Sequence, residues 1–207
     1  VVKGLVEFWR LGTANTPRQY RICHVGTKVY GTTDATYVFT ELASGLADGA
    51  VPNYAIFDDF LIIASDSTAD VPRSYDGTTF QNLAGSPPRF SFSCKHKNFL
   101  FAAGDFSAPS TLYYSASLNP ESWVPSTISI DPDDGDMITG IISHKNELWV
   151  FKGPNKGSIH RITGSSAADF ARTTFIEGLG AVWQNSIFRI GDDVGFLWSD
   201  SSIRTLS

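Results

Sequence analysis

Cysteine is scarce in this chain. Cys23 and Cys94, among 207 residues, are too few for a disulfide framework and fit free thiols in a cytosolic or virion setting. Methionine occurs once, as Met137, and runs of Ala, Leu, Glu and Lys are missing, which argues against extended helices. No basic block is present. A protein that grips phosphates concentrates Lys and Arg, because counterion release requires them. Here 16 Lys and Arg face 21 Asp and Glu, a formal net charge of −5. Tight nucleic-acid binding is therefore disfavoured, whereas a smooth acidic surface past which DNA slides is compatible. No apolar run approaches the roughly 18 residues of a membrane helix. The longest, NYAIFDDFLIIAS (53–65) and KNFLFAAG (97–104), are interrupted by Asp or closed by Gly. No signal peptide leads the chain, which starts on Val and ends just past a strand-like segment, so it is expected to be a fragment of a longer polypeptide. A Gly-Lys-Ser/Thr phosphate loop, a Gly-x-Ser-x-Gly elbow and a Cys-x-x-Cys pair are all lacking, which removes the commonest sequence signatures of phosphoryl, acyl and redox chemistry.

What the chain has is aromatic and β-branched. Aromatics make up 13% of residues, with 15 Phe and 5 Trp, a composition suited to sheets packed face to face. The stretch DMITGIISHKNELWVFKGPNKGSIHRITG (136–164) holds two histidines and several charges beside a tryptophan and could be taken for an active site. It is instead one copy of a repeat. SHKNELWVFKG (143–153) lies over CKHKNFLFAAG (94–104), and CHVGTKVYG (23–31) keeps the histidine before its turn. IFDDFLIIAS (56–65) and IGDDVGFLWSD (190–200) put Asp-Asp in the turn and keep the apolar strand after it. His24, His96 and His144 thus mark one repeat position, with Phe57 in the slot between the first two. The interval of roughly 30 to 50 residues is that of a four-stranded propeller blade. Trp149 falls in the same repeat. RSYDGTTFQNL (73–83) and LYYSASLNPESW (112–123) are expected hairpins ending on Phe80 and Trp123, and SIHRITG (158–164) and TYVFTEL (36–42) share a phase.

These patterns predict an all-β chain, a β-propeller of four-stranded blades with about five blade-like units, the last one truncated. Residues 1–17 are expected as an N-terminal strand and linker, and 18–207 as the blades. The segment SSAADFAR (165–172) is expected as a helical turn or a loop. Histidines held one per blade do not converge on a metal, and His160, alone in a hairpin strand, is expected to pack at the surface.

Candidate chemistry is thin. DPDDGD (131–136) gathers Asp131, Asp133, Asp134 and Asp136, oxygen ligands of the kind a hard cation takes. The Ca²⁺-loop pattern fails, however, and a solvated turn whose last Asp caps the next strand is expected. SYDGTTF (74–80) resembles the Asp-box of sialidase-like propellers, one residue short and ending in Phe; Asp76-Gly77 is expected simply to make a hairpin turn. Glycosidase chemistry needs two facing carboxylates, and no motif selects a pair among Glu41, Glu121, Glu147 and Glu177. The arginines are scattered without a carboxylate-clasping signature. No cofactor, metal site or catalytic residue is expected.

The order PRSYDGTTFQNL, HKNFLFAAG, STLYYSASLNPESW, DGDMITGI and ELWVFKG resembles the β-propeller virion proteins of tailed phages that form the tail nozzle or stabilise packaged DNA below the portal. The resemblance spans roughly residues 18 to 207. It implies a non-enzymatic structural protein of the virion tail or head-to-tail channel that retains or conducts the genome. It further implies a homo-oligomeric ring of sixfold symmetry, with portal, adaptor or tail proteins as partners and DNA passing non-specifically. The alternative, of a different class, is a carbohydrate-binding or carbohydrate-cleaving propeller for host recognition, with Trp123, Trp149, Trp183 and Trp198 as stacking surfaces. Against it, repeat phase puts Trp149 and Trp198 in cores between blades.

Overall fold

The computed structural model describes residues 1–11, 17–33, 38–123 and 126–206. Among them lie four four-stranded antiparallel sheets and one three-stranded sheet, each strand paired with its sequence neighbour. The sheets are β1 (Val2–Leu11) to β4 (Thr40–Ala43) through β2 (Pro17–Val25) and β3 (Lys28–Thr33); β5 (Pro52–Phe57), β6 (Phe60–Ser65), β7 (Arg73–Tyr75) and β8 (Phe80–Asn82); β9 (Phe92–His96), β10 (Phe99–Ala103), β11 (Thr111–Tyr114) and β12 (Thr127–Ser129); β13 (Met137–His144), β14 (Glu147–Gly153), β15 (Ser158–Thr163) and β16 (Ala171–Glu177); and β17 (Ile187–Ile190), β18 (Asp193–Leu197) and β19 (Ile203–Thr205). This is the expected propeller-blade architecture, with the last blade one strand short. The described residues contain no α-helix, only a 3₁₀ turn at Gln184–Ser186.

The repeat detected in the sequence is the tight hairpin. Gly26, Asp58, Lys97, Lys145, Asn146 and Gly191 have positive φ in their turns, the conformation that two-residue hairpins demand. In the three middle sheets the strands after the turns, β6, β10 and β14, are apolar because both their faces are covered; β10 is buried at every position. The His96 and His144 hairpins join first and second strands, whereas the His24 hairpin joins the second and third strands of its sheet. The difference arises because β1 is an integral strand of that sheet, paired with β2 from Val2↔Val25 to Leu11↔Pro17, and not a separate N-terminal piece. The linker expected within 1–17 lies, at 12–16, outside the described residues, as do residues 36 and 37 of TYVFTEL.

The chain divides into two compact units, Val1–Ser93 and Cys94–Ser207, with the division falling inside β9. In the first, Phe8, Tyr20, Ile22 and Val29 pack with Leu61, Ile63 and Tyr75; the Phe8 and Tyr20 rings stack at 5.0 Å and Tyr75 meets both edge-on. Asp76 accepts the N–H groups of Thr78 and Thr79 at 2.8 and 2.7 Å, closing the β7–β8 turn. Gly77, at φ 86°, also lies under the Tyr20 ring, so a side chain there would meet both strain and a clash. In the second unit, Phe170 lies 5.0 to 5.2 Å from Phe99, Phe101 and Tyr114. Trp149, Phe151 and Ile159 pack with Val194 and Phe196. Of the segment 165–172, residues 165–170 form a turn held by Asp169, which accepts the N–H groups of Ser165 and Ser166 at 2.9 and 2.5 Å, and Ala171 and Arg172 open β16. The strand that returns beside β11 is Thr127–Ser129, so the expected hairpin does not end on Trp123, which is half-buried in the connection.

Candidate functional site

The densest group of charged and nucleophilic side chains surrounds the acidic loop between β12 and β13. Its centre is Lys152, at the end of an otherwise apolar strand and fully buried. Strand β14 pairs Lys152 with Ile138 on one side and Ser158 on the other, and the side chain leaves the sheet toward the loop. Its ammonium donates to the Ile130 and Asp131 carbonyls at 2.8 and 2.6 Å, to Asp134 Oδ1 at 2.7 Å and to Ser110 Oγ at 3.0 Å. Oxygens that could have enclosed a hard cation enclose this ammonium. The solvated turn expected for DPDDGD is therefore a loop folded around a buried charge, which stays paired because an isolated buried ammonium is far too costly.

Asp136 does not cap the strand that follows it. Its carboxylate accepts the backbone N–H groups of Asn155, Lys156 and Gly157 at 2.8, 2.8 and 2.7 Å, and Asn155 returns a bond to the Gly135 carbonyl at 3.1 Å. Burial pushes the Asp136 carboxyl up, but the donors on Gly157, Asn155 and Lys156 outweigh burial and hold it below the usual carboxylate range. Asp131 pairs with Arg172 of β16; burial raises its carboxyl too, and the guanidinium is foremost among the groups that reverse the shift.

Ser158, His160 and Asp131 have the residue types of a hydrolytic triad. Their geometry is not that of one. Ser158 Oγ lies 2.8 Å and Asp131 Oδ2 3.3 Å from the same imidazole nitrogen, His160 Nε2. Nδ1 faces Thr174 Oγ1 at 3.4 Å. A triad needs the nucleophile on one ring nitrogen and the orienting carboxylate on the other. Ser158 is also buried, out of reach of an acyl group. His160 is fully buried, contrary to the surface role expected of it, and burial lowers its basicity.

The other predicted positions do not converge. His24 is buried, with neither ring nitrogen paired among the described residues, and burial lowers its pKa. His96 is buried with Nδ1 2.8 Å from Ser143 Oγ; burial, then the Lys97 charge, pushes it down to about 4. His144 is half-buried, with Nε2 3.0 Å from the Asp192 carbonyl oxygen. Trp149 and Trp198 are buried, as repeat phase requires, although an edge of Trp149 reaches an open cleft. Glu41 binds Lys28 at 2.6 Å and Glu147 binds Arg161 at 3.2 Å. Glu177 stands across the sheet level with Lys152, five residues along β14 from Glu147. That is about 17 Å in the strand direction, beyond the roughly 5 to 9.5 Å of paired glycosidase carboxylates. Among the described residues no group of three or more His, Cys, Asp or Glu is placed to hold a metal ion.

Two open clefts lie in the second unit. One, of about 400 Å³, adjoins the acidic loop between Pro109, Met137 and Asn155. The other, of about 440 Å³, has Trp149 and Leu206 beside His144, Lys145, Asp192 and Asp193. No helix among the described residues is long and apolar enough to cross a membrane.

No family model and no curated protein matches the sequence. Among solved structures, the chain is similar to YCF48 bound to D1 peptide, with a TM-score of 0.59 at 12% identity, over 90% of this chain and 59% of that one. A weaker likeness is to an exo-β-1,3-galactanase from Phanerochaete chrysosporium with β-1,3-galactotriose, with a TM-score of 0.47 at 12% identity, over 95% of this chain and 59% of that one. The chain thus spans about 59% of the length of either structure. At this identity the first match bears on the fold alone, and it agrees with the β-propeller blades described above.

Proposed function

We propose that the chain is a non-enzymatic structural subunit of a tailed-phage virion, part of the tail or head-to-tail channel that retains or conducts the genome. One observation carries the non-enzymatic half: the charged cluster that could be mistaken for a catalytic centre is closed on itself. Lys152 fills the acidic loop, Asp136 binds the chain's own backbone, and the serine and carboxylate of the triad look-alike compete for one nitrogen. Such groups stiffen a scaffold and leave no reactive atom facing a substrate. The virion half follows from the resemblance of the hairpin motifs, and the acidic charge balance supports it, because a lumen of that sign does not trap DNA. Portal, adaptor or tail proteins are the partners on this reading, and the virion is the location. An antibody against the chain should label the tail of intact phage particles; particles that contain none of the chain would overturn the assignment.

The saccharide alternative keeps one observation. Phe106 is exposed and its ring runs parallel to that of half-buried Trp183, 6.4 Å away, a surface on which a sugar ring could stack. Retention on immobilised bacterial surface polysaccharide, lost in Trp183→Ala, would favour it over the structural role.

A further inference from the structure

Two surface features of the second unit meet at one place. The first is the aromatic pair: Phe106 is 47% exposed, and its ring lies within 19° of parallel to that of Trp183. The second is the cleft of about 400 Å³ beside the acidic loop. Phe106 sits in a turn closed by the Ala108 N–H on the Asp105 carbonyl at 3.1 Å, and that turn leads straight into Pro109 and Ser110 of the cleft. On another wall, Gly153 packs against the carbonyl of Ala181, two residues before Trp183; a Cβ on Gly153 would stand 2.9 Å from that oxygen. The segments that carry the two rings are thus the ones that border the cleft.

The side-chain groups this cleft leaves unused are acceptors. Asp131, Asp134 and Asp136 are taken by Arg172, Lys152 and three backbone N–H groups. Asp133 lines the cleft and has no hydrogen bond or ion pair among the described residues. Asn155 donates its side-chain N–H to the Gly135 carbonyl at 3.1 Å, which leaves its Oδ1 open. The side-chain donors are spent: Ser110 Oγ donates to the Asp136 carbonyl at 3.4 Å, and the Lys152 ammonium already serves four oxygens. Pro109 and Pro154 have no N–H to offer and, with Met137, supply apolar walls. Acceptors between apolar walls, beside a flat aromatic surface, suit a ligand with one apolar ring face and cationic donors at its edge. We propose that the aromatic pair and the cleft form one saccharide site selective for amino sugars, a sugar ring stacking on Phe106 and Trp183 and its ammonium held by Asp133 and the Asn155 amide oxygen. The inference rests on the saccharide alternative above and adds to it the class of sugar. Uronic and other acidic sugars are turned away, because their carboxylate would meet that of Asp133 with no donor between them.

The test is calorimetric titration of the full chain with three oligosaccharides of equal length: a glucosamine oligomer with its amines charged, a neutral glucose oligomer and a galacturonate oligomer. The glucosamine oligomer should bind about tenfold more tightly than the neutral one, the difference between a charge-assisted and a neutral hydrogen bond. The galacturonate oligomer should not bind. Asp133→Asn, whose side chain tolerates the φ of 66° at this position, should abolish the preference and leave the affinity for the neutral oligomer unchanged. Phe106→Ala and Trp183→Ala should each weaken both by about fivefold, the worth of one stacked ring. Circular dichroism of each variant checks that its strands persist, and exposed Phe106 serves where Trp183→Ala does not fold. A preference that survives Asp133→Asn, or galacturonate bound as tightly as glucosamine, overturns the assignment and leaves the saccharide reading in place. Glucosamine binding indifferent to both ring variants also overturns it, as ionic attraction alone. If none of the three oligomers binds, the assignment falls, and retention on bacterial surface polysaccharide decides the saccharide reading separately.

Discussion

Replacing Lys152 by methionine keeps the length and apolar stem of the side chain and removes its ammonium. Four oxygens then lose their shared donor, at 2.6 to 3.0 Å in the native protein. The carbonyls of Ile130 and Asp131 are left without this partner, and Asp134 keeps a carboxylate whose side chain is one-quarter exposed. Breaking a buried ion pair from one side costs about 3 to 5 kcal/mol. The partial exposure of Asp134 lets water recover some of this, so about 3 kcal/mol is expected. In a protein of this size that is a fall in Tm of about 6 to 12 °C. Adding Asp134→Asn removes the orphaned charge and should restore a third or more of the loss. Urea and thermal unfolding followed by tryptophan fluorescence would measure both. A Lys152→Met protein within 1 kcal/mol of wild type, or a double variant no more stable than the single, would refute the claim that the ammonium organises the loop.

Gly157→Ala should cost about 3 kcal/mol, because the residue has φ 75° and a Cβ would come within 3.0 Å of Trp198, Leu179 and Gly180; an effect below 1 kcal/mol in urea unfolding would contradict this. Asp136 has its pKa depressed in the folded state, so the stability it contributes is present above the unfolded value of about 3.9 and is lost as pH falls through the folded value. Asp136→Asn should lower stability by about 2 kcal/mol at pH 7 and flatten the acid limb of the stability curve; an unchanged limb would count against it. The imidazole of His96, pushed down to about 4, should titrate near there by NMR, and its contribution, present above about pH 6.5, should fade as pH drops toward 4; a midpoint above 6 would mean the ring is not buried neutral. Calcium added at millimolar concentration should leave the wild-type Tm unchanged, since Lys152 occupies the oxygens of the acidic loop; a rise of several degrees would show a cation site.

The hairpins were legible because their signals are local. A two-residue polar turn followed by an apolar run encodes the turn conformation and the burial of the next strand within ten residues, as in His96 to Ala103 and His144 to Gly153. The role of β1 was not legible, since the partner of an edge strand is fixed by long-range pairing and the Gly/Thr/Asn/Pro stretch after Leu11 suggests a boundary. His160 was misread for a related reason: its imidazole meets Asp131 on a loop nearly thirty residues away, and the buried character of Ser158 to His160 comes from what packs on that strand and not from its composition. Lys152 did leave a trace, as a lone cation at the end of LWVFKG with four carboxylates just upstream. Gln184 left none. Its side-chain amide donates to the Ile141 carbonyl at 3.0 Å and accepts the Ile141 N–H at 2.7 Å, extending the sheet edge beside the close approach of Gly140 and Ile187.

The role proposed for this propeller chain is assembly without catalysis. Negative-stain electron microscopy of the full-length protein at tens of micromolar, with its native mass measured in parallel, tests that most directly. Closed rings around a hole wide enough for duplex DNA are the predicted result. Single particles of protomer mass at every concentration, together with hydrolysis of bacterial surface polysaccharide, would contradict it.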